Sequence, residues 1–274
     1  MLEKLIYKNH INETLEFGKA PLFVNENDLR NFAWEIVSKN DKISGFKKGI
    51  VSKTIPIILK CDTEAQGITL RNKIFEVFEK DVLAKEPGRI YIGDYYLRCY
   101  VTGLAKTDYL IHKGYMILSA TVQTDFPAWI KESTTVFGAS AGGDESFLDF
   151  PYDFPYDFKS TLVNSVVTNT GFTGANFRIV IYGQVTNPTL HIGGHEYSVN
   201  VEVGEGEYLT IDSVSKTIVL TQGGGEEVNC FNLRNKDSYI FQKIPAGDNA
   251  ITSPNDHIYF DITILDERSE PKWT

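Results

Sequence analysis

Hydrophobic positions follow two rhythms along this chain. From Thr63 to Gly88 the sequence TEAQGITLRNKIFEVFEKDVLAKEPG sets Leu70, Ile74, Val77 and Phe78 three and four residues apart, the spacing of one helix face. Asp81 falls on that face as its one polar member. Asp62 or Thr63 can cap the start, Glu64 suits the positive end of the helix dipole, and Pro87-Gly88 ends the pattern. Elsewhere the period is two. TIPIILKC (54–61) is a short apolar run, RIYIGDYYLRCYVTGL (89–104) reads as two strands about Gly93-Asp94, and GYMILSATVQT (114–124) alternates. LRNFAWEIV fits both periods: a helix through Leu29, Phe32, Ile36 and Val37, or a strand through Phe32, Trp34 and Ile36. Its composition leans towards the strand.

The C-terminal half predicts strands and turns throughout. FRIVIYG, TLHIGGHEYSVNVEV, EYLTID, KTIVLT, SYIFQKIP and HIYFDITIL follow one another with Gly-rich or polar turns between them. Short, regular strands without a helix signal imply an antiparallel sandwich. Tyr182, Tyr197, Tyr208, Tyr239 and Tyr259 all lie in these patterns, where burial is expected.

Between the halves the composition breaks. GASAGGDES (138–146) is small and polar, and FLDFPYDFPYDF (147–158) follows it. Phe150, Tyr152, Phe154, Tyr156 and Phe158 occupy the even positions, with Asp and Pro on the odd ones. Pro151 and Pro155 hold the chain extended and push Phe150 and Phe154 away from helical geometry, so one face is wholly aromatic. Five aromatics left in water would forfeit roughly 1.5–3 kcal/mol each. The pattern therefore predicts a strap laid along a domain surface, at an edge, because the prolines lack ladder donors. The expected division is 1–137 for the first domain, 138–158 for linker and strap, and 159–274 for the second. The fold class is mainly β: two β-sandwich domains, the first with one α-helix.

Charge separates the halves again. The net charge of −9 belongs to residues 147–274, with 17 acids and 8 bases, whereas residues 1–146 hold 19 of each. Phosphate neutralisation needs clustered Lys and Arg, so the acidic half is a poor nucleic-acid binder. No run reaches the ~18 apolar residues of a membrane span, and MLEKLIYKN carries charges where a signal peptide needs an apolar core. Three scattered cysteines, Cys61, Cys99 and Cys230, suit a reducing compartment and predict no disulfide.

Candidate chemistry is thin. HIGGH puts His191 and His195 four apart, but with Gly193-Gly194 as a two-residue turn, His191 faces Glu196 and Ile192 faces His195, on opposite sheet faces. Gly223-Gly224-Gly225 precedes Glu226-Glu227, which would repel phosphate, and reads as a turn. No nucleophile elbow or zinc-helix motif occurs. The expectation is a protein that is not an enzyme, with no catalytic, metal or cofactor-binding residues. Sugar stacking favours Trp or Tyr, and Trp34, Trp129 and Trp273 all lie outside residues 160–265.

Three stretches of the second half, GEYLTIDSVSKTIVL, VNCFNLRNKDSYIFQKIPAGDN and DITILDERSEPKW, together with the FPYDFPYDF strap, resemble the distal tail proteins of long-tailed bacteriophages and prophages. FAWEIVSKNDKIS, TIPIILKC, the helix and GRIYIGDYYLRC are similar to that family's N-terminal belt domain, and the resemblance covers essentially the whole chain. It implies a strand at the ambiguous LRNFAWEIV position and a galectin-like, jelly-roll second sandwich. It further implies a hexameric ring at the tail tip, formed by the belt domains, joining the tail tube to a tail-associated fibre or lysin protein. A receptor-binding protein is a further implied partner, and DNA would meet the ring only in transit through its channel. Carried over by position, Asn232, Arg234, Tyr239, Phe241, Pro245, Gly247 and Asn249 match the family pattern as turn and core elements. The runner-up is a carbohydrate-binding adhesin that uses the second sandwich on host cell walls.

Overall fold

A computed structural model describes residues 4–110, 114–138, 165–255 and 258–273. The chain is mainly β with one α-helix, and it forms two compact units, Met1–Lys131 with Arg268–Thr274, and Glu132–Glu267. Of the expected linker and strap, everything beyond Gly138 lies outside the described residues, including Phe150, Tyr152, Phe154, Tyr156 and Phe158.

The first unit holds β1 (Leu5–Lys8), β2 (Thr14–Phe17), β3 (Leu22–Val24), β4 (Glu35–Lys39), β5 (Lys42–Lys47), β6 (Val51–Lys60), α1 (Glu64–Ala84), β7 (Gly88–Ile92), β8 (Tyr95–Leu110), β9 (Tyr115–Thr124) and the start of β10 (Trp129–Phe137). β8 is the spine of the unit. Its first half pairs with β7, which continues to β1 and β2, and its second half pairs with β9, which continues to β6 and β3. Register shifts at Val101/Gly103 and Lys106/Asp108 accompany the change of partner, since an extra residue bends a strand and strengthens its twist. Inward residues alternate as the sequence reading expects: Ile55, Ile57 and Leu59 of β6 are buried and their neighbours are not.

The helix caps as anticipated. Thr63 Oγ1 accepts from the Gln66 amide at 3.3 Å. Lys85, in left-handed conformation (φ 60°), ends the helix two residues before Pro87. Ile74, Val77, Phe78 and Asp81 are buried, and the first three join the core of the unit beside Leu5, Tyr7 and Leu97. Arg268–Thr274 returns to this unit, where Arg30 Nη1 donates to the Pro271 carbonyl at 2.8 Å and its guanidinium lies 3.9 Å over the Trp273 ring.

The second unit is a sandwich. One sheet runs β19 (Glu227–Asn229), β18 (Thr217–Thr221), β17 (Tyr208–Asp212), β12 (Asn176–Tyr182) and β21 (Tyr259–Arg268), with the later part of β10 beside it. The facing sheet runs β11 (Ser165–Asn169), β20 (Gly247–Thr252), β14 (Thr189–Ile192) and β15 (His195–Ser198), and β13 (Val185–Thr186) pairs with β16 (Glu202–Val203) as a short ribbon. Phe177, Ile179, Ile211 and Phe260 from one sheet meet Val167, Leu190, Ile192 and Ile251 from the other in one core. Adjacent to Phe260, Phe137 of β10 stacks at 5.0 Å between ring centroids.

Two expectations need correction. SYIFQKIP is not a strand. Its apolar members Ile240, Phe241 and Ile244 are buried, but the backbone closes a turn from the Gln242 amide to the Tyr239 carbonyl (2.9 Å), and only Ile244 bridges another segment, at Ala175. Its apolar content reflects burial of a turn rather than strand pairing. In LRNFAWEIV the strand begins only at Glu35. Leu29 is buried in a turn whose amide is bonded by Asn27 Oδ1 at 3.1 Å.

Candidate functional site

The β4–β5 hairpin forms a two-stranded sheet by itself, as the short β13–β16 ribbon does, but unlike that ribbon, whose Val185 and Val203 are buried, it leaves large apolar side chains exposed. Asn40 and Asp41 both take positive φ, 51° and 58°, which their short polar side chains tolerate and which a tight two-residue hairpin turn requires. The register sets Ile36 opposite Phe46 and Ser38 opposite Ile43. Ser44 is the extra residue of a bulge, its hydroxyl donating to the Val37 carbonyl at 2.9 Å. By absorbing Ser44, the bulge brings Ile43 and Phe46, three residues apart, onto the same face as Ile36.

That face is bare. Trp34, Ile36, Ile43 and Phe46 are 49, 61, 61 and 60% exposed. The opposite face carries Glu35 against Lys47 (3.2 Å) and Lys39 against Lys42. Lys48 secures the base, its ammonium 4.4 Å over the Trp34 ring and donating to Pro127 O (3.1 Å) and Ser269 Oγ (2.8 Å). An isolated two-stranded ribbon is marginal in water, and a contiguous exposed apolar face marks an interaction site. This is the candidate functional surface. Its sequence signal was the Phe32, Trp34, Ile36 alternation, although alternation normally announces a half-buried strand.

Beneath the helix lies a polar cluster that the sequence flagged only as an irregularity. Asp81 is fully buried. Its carboxylate accepts from the Tyr7 hydroxyl, from the His10 amide (2.9 Å) and lies 2.5 Å from His10 Nδ1. The cluster ties α1 to β1 and the turn after it. Burial raises the Tyr7 phenol well above its ordinary range, and Cys99 and the hydrogen bond to Asp81 push the same way. Gly88 is required beside it, because a Cβ there would stand 2.3 Å from Asp81 Oδ2 and 2.4 Å from the Tyr7 hydroxyl. With no exposed atom, Asp81 is placed to hold structure rather than to meet a substrate.

The remaining flagged residues sit in the second unit. HIGGH is the turn of β14–β15, with Gly193 and Gly194 at φ 58° and 83°. As the spacing implied, His191 pairs with Glu196 (3.6 Å) on one face, and His195 lies on the other, beside the Tyr197 ring and 3.0 Å from the Tyr239 carbonyl. Among the described residues no group of three His, Cys, Asp or Glu side chains is placed to hold a metal ion. Gly223-Gly224-Gly225 closes the β18–β19 turn, with the Gly225 amide on the Gln222 carbonyl.

The family-pattern residues lie along the segment from the 3-10 turn to the start of β20. Asn232 is exposed in a 3-10 turn at Phe231–Leu233, and Arg234 covers the Phe231 ring at 4.0 Å while donating to its carbonyl. Phe241 is buried against Phe231, whereas Tyr239 is 55% exposed. Asn249, buried, donates to the carbonyls of Pro245 and Gly247, both at 2.9 Å. The expected burial of the tyrosines holds for Tyr197 but not for Tyr239, Tyr182 or Tyr208. Tyr182 and Tyr208 are a cross-strand pair on the outer face of their sheet, each 39% exposed, and Tyr182 donates to Asp261 Oδ2 at 2.7 Å. Alternation identifies two faces without saying which one is inside.

No family model matches the sequence, and no curated protein matches it. Solved structures do match the fold. The Dit protein of phage SPP1, described as a paradigm of the hub adsorption apparatus in phages infecting Gram-positive hosts, is 12% identical with a TM-score of 0.61, covering 97% of this chain and 99% of that one. A chain of the phage P2 baseplate, in its activated conformation with calcium, is 10% identical with a TM-score of 0.63, covering 99% and 100%. A chain of the strontium form of the phage p2 baseplate is 11% identical with a TM-score of 0.61, covering 96% and 98%. The resemblance read from the sequence therefore extends to the fold of the whole chain.

Proposed function

We propose that this chain is a structural hub subunit of a phage tail tip. Six copies form a ring through their first units, and the ring joins the tail tube to the fibre or lysin protein below and lets DNA pass. It would be assembled in the host cytoplasm and reside in the virion. The observation that carries this reading is the bare apolar face of β4–β5, on a chain whose fold matches hub and baseplate proteins from end to end. A ribbon of that kind is stable and soluble once a partner covers it. The division of charge supports the same arrangement, since balanced first units can adjoin without accumulating repulsion and acidic second units are suited to the periphery. Negative-stain imaging and light scattering of the purified chain test it. Six-fold rings are expected, and a monomer at all concentrations would refute the proposal.

The exposed Tyr182 and Tyr208 favour a second reading, a saccharide-binding face on the outer sheet of the second unit. Titration calorimetry with host cell-wall polysaccharide separates the two. The hub reading expects no heat of binding, and millimolar or tighter affinity would promote the adhesin.

A further inference from the structure

We propose that the outward face of α1 is the seat for the β4–β5 hairpin of a second copy of this chain. The inference rests on the ring reading above. A closed ring of like subunits is built from heterologous contacts, so each copy must offer two unlike surfaces. The hairpin supplies only one of them. Among the described residues of the first unit, large exposed apolar side chains gather in two places, besides Ile11 and Trp273, whose ring lies over Arg30. One place is the hairpin and its base, from Phe32 to Ile50. The other is the solvent side of α1, where Ile68, Phe75 and Val82 recur every seven residues with Leu83 beside them, 56, 50, 37 and 73% exposed. Seven residues are nearly two helical turns, so the three form a line along the helix, away from the buried Ile74, Val77 and Asp81.

Size and apolar character both fit. From Ile68 to Leu83 the stripe is roughly 22 Å long at 1.5 Å per residue. The Trp34–Lys39 arm of the hairpin is about 17 Å at 3.4 Å per residue. Arg71 and Glu79 lie in line with the stripe, Glu64 and Glu76 flank it on the outward side, and Lys80 is already paired to Glu13 (2.7 Å). Residues 35–48 of the hairpin carry Lys39, Lys42, Lys47 and Lys48 against Glu35 and Asp41. The match is chiefly apolar, because Lys39, Lys42 and Lys47 lie on the far face of the ribbon and the outward side of the helix carries Glu64, Glu76 and Glu79 against Arg71, Lys73 and Lys80.

Cross-linking of the full chain tests the seat. In a Cys61→Ser background, with Cys99 and Cys230 buried, Phe46→Cys and Phe75→Cys would be made singly and together, then treated with a short bismaleimide. The double variant should give a covalent ladder ending at the closed ring. An equal mixture of the single variants should stop at dimers, and each single variant alone should stay unlinked. Ile43→Cys with Val82→Cys provides a second pair. Phe46→Cys linking to itself would overturn the proposal in favour of a hairpin-to-hairpin contact. Intact rings in which neither pair links would overturn the seat while leaving the ring, and absence of rings from the same sample would remove both.

Discussion

The chain contains two hairpins with the same kind of turn and opposite fates. β4–β5 turns through Asn40-Asp41 and β14–β15 through Gly193-Gly194, all four residues at positive φ. Both set apolar side chains on one face and charged ones on the other. In β14–β15 the apolar face, Leu190, Ile192 and Tyr197, is essentially buried, and β20 continues the sheet at Ile192. In β4–β5 the equivalent face is half to two-thirds exposed, and among the described residues no further strand joins. Turn chemistry and alternation decide that a hairpin forms. Whether its apolar face is covered within the chain depends on what lies opposite, which neither property encodes.

Substitutions should separate the two ribbons sharply. Ile36→Asp with Phe46→Asp should abolish rings and leave a monomer that is still folded, seen by light scattering and by a cooperative transition in calorimetry. Rings in that variant would mean that the bare face is not the assembly surface. Ile192→Ala should cost about 2–5 kcal/mol in denaturant unfolding, whereas Ile36→Ala measured in the monomer should stay within about 0.5 kcal/mol. Equal costs would erase the distinction. Asp81→Ala should cost on the order of 3 kcal/mol, because it strips a buried hydroxyl and a histidine of their shared acceptor.

Alkaline titration gives a smaller effect. Tyr7 has a folded pKa raised above its ordinary value near 10, so its contribution is complete below that pH. It is lost progressively as pH climbs, because only the unfolded chain ionises there. Tyr7→Phe should therefore lower stability at neutral pH yet flatten its decline above about pH 10; an unchanged slope would exclude Tyr7 as the source. The smallest change is expected for His191→Gln, within about 0.5 kcal/mol, since its pair with Glu196 is partly exposed.

Much of this was legible in the sequence. The helix with its Thr63 cap, the Gly93-Asp94 and Gly193-Gly194 hairpins and the opposed histidines follow from spacing and turn residues alone, because each is settled within about twenty residues. The misreadings share a cause. SYIFQKIP, Tyr182, Tyr208 and Tyr239 carry apolar or aromatic character whose placement is set by segments distant in sequence: Tyr182 by Tyr208 and Asp261, and the turn at Tyr239 by His195. Asp81 was visible as a break in an apolar face. Its meaning required Tyr7 and His10, more than seventy residues away. The β4–β5 face was visible as an alternation and hidden as an exposure.

Ser44 separates shape from stickiness. Its presence makes β5 one residue longer than β4 over the same paired length, and such a mismatch coils a ribbon more tightly. A chain lacking Ser44 would keep Trp34, Ile36, Ile43 and Phe46 on one side, with the same charges behind them, but would lay them on a flatter blade. A curved blade can wrap a cylinder and a flat one touches it along a line. Curvature, adjustable by one small residue that contributes almost nothing to the apolar area, would then govern how far neighbouring subunits are rotated from one another, and so how many of them close a circle.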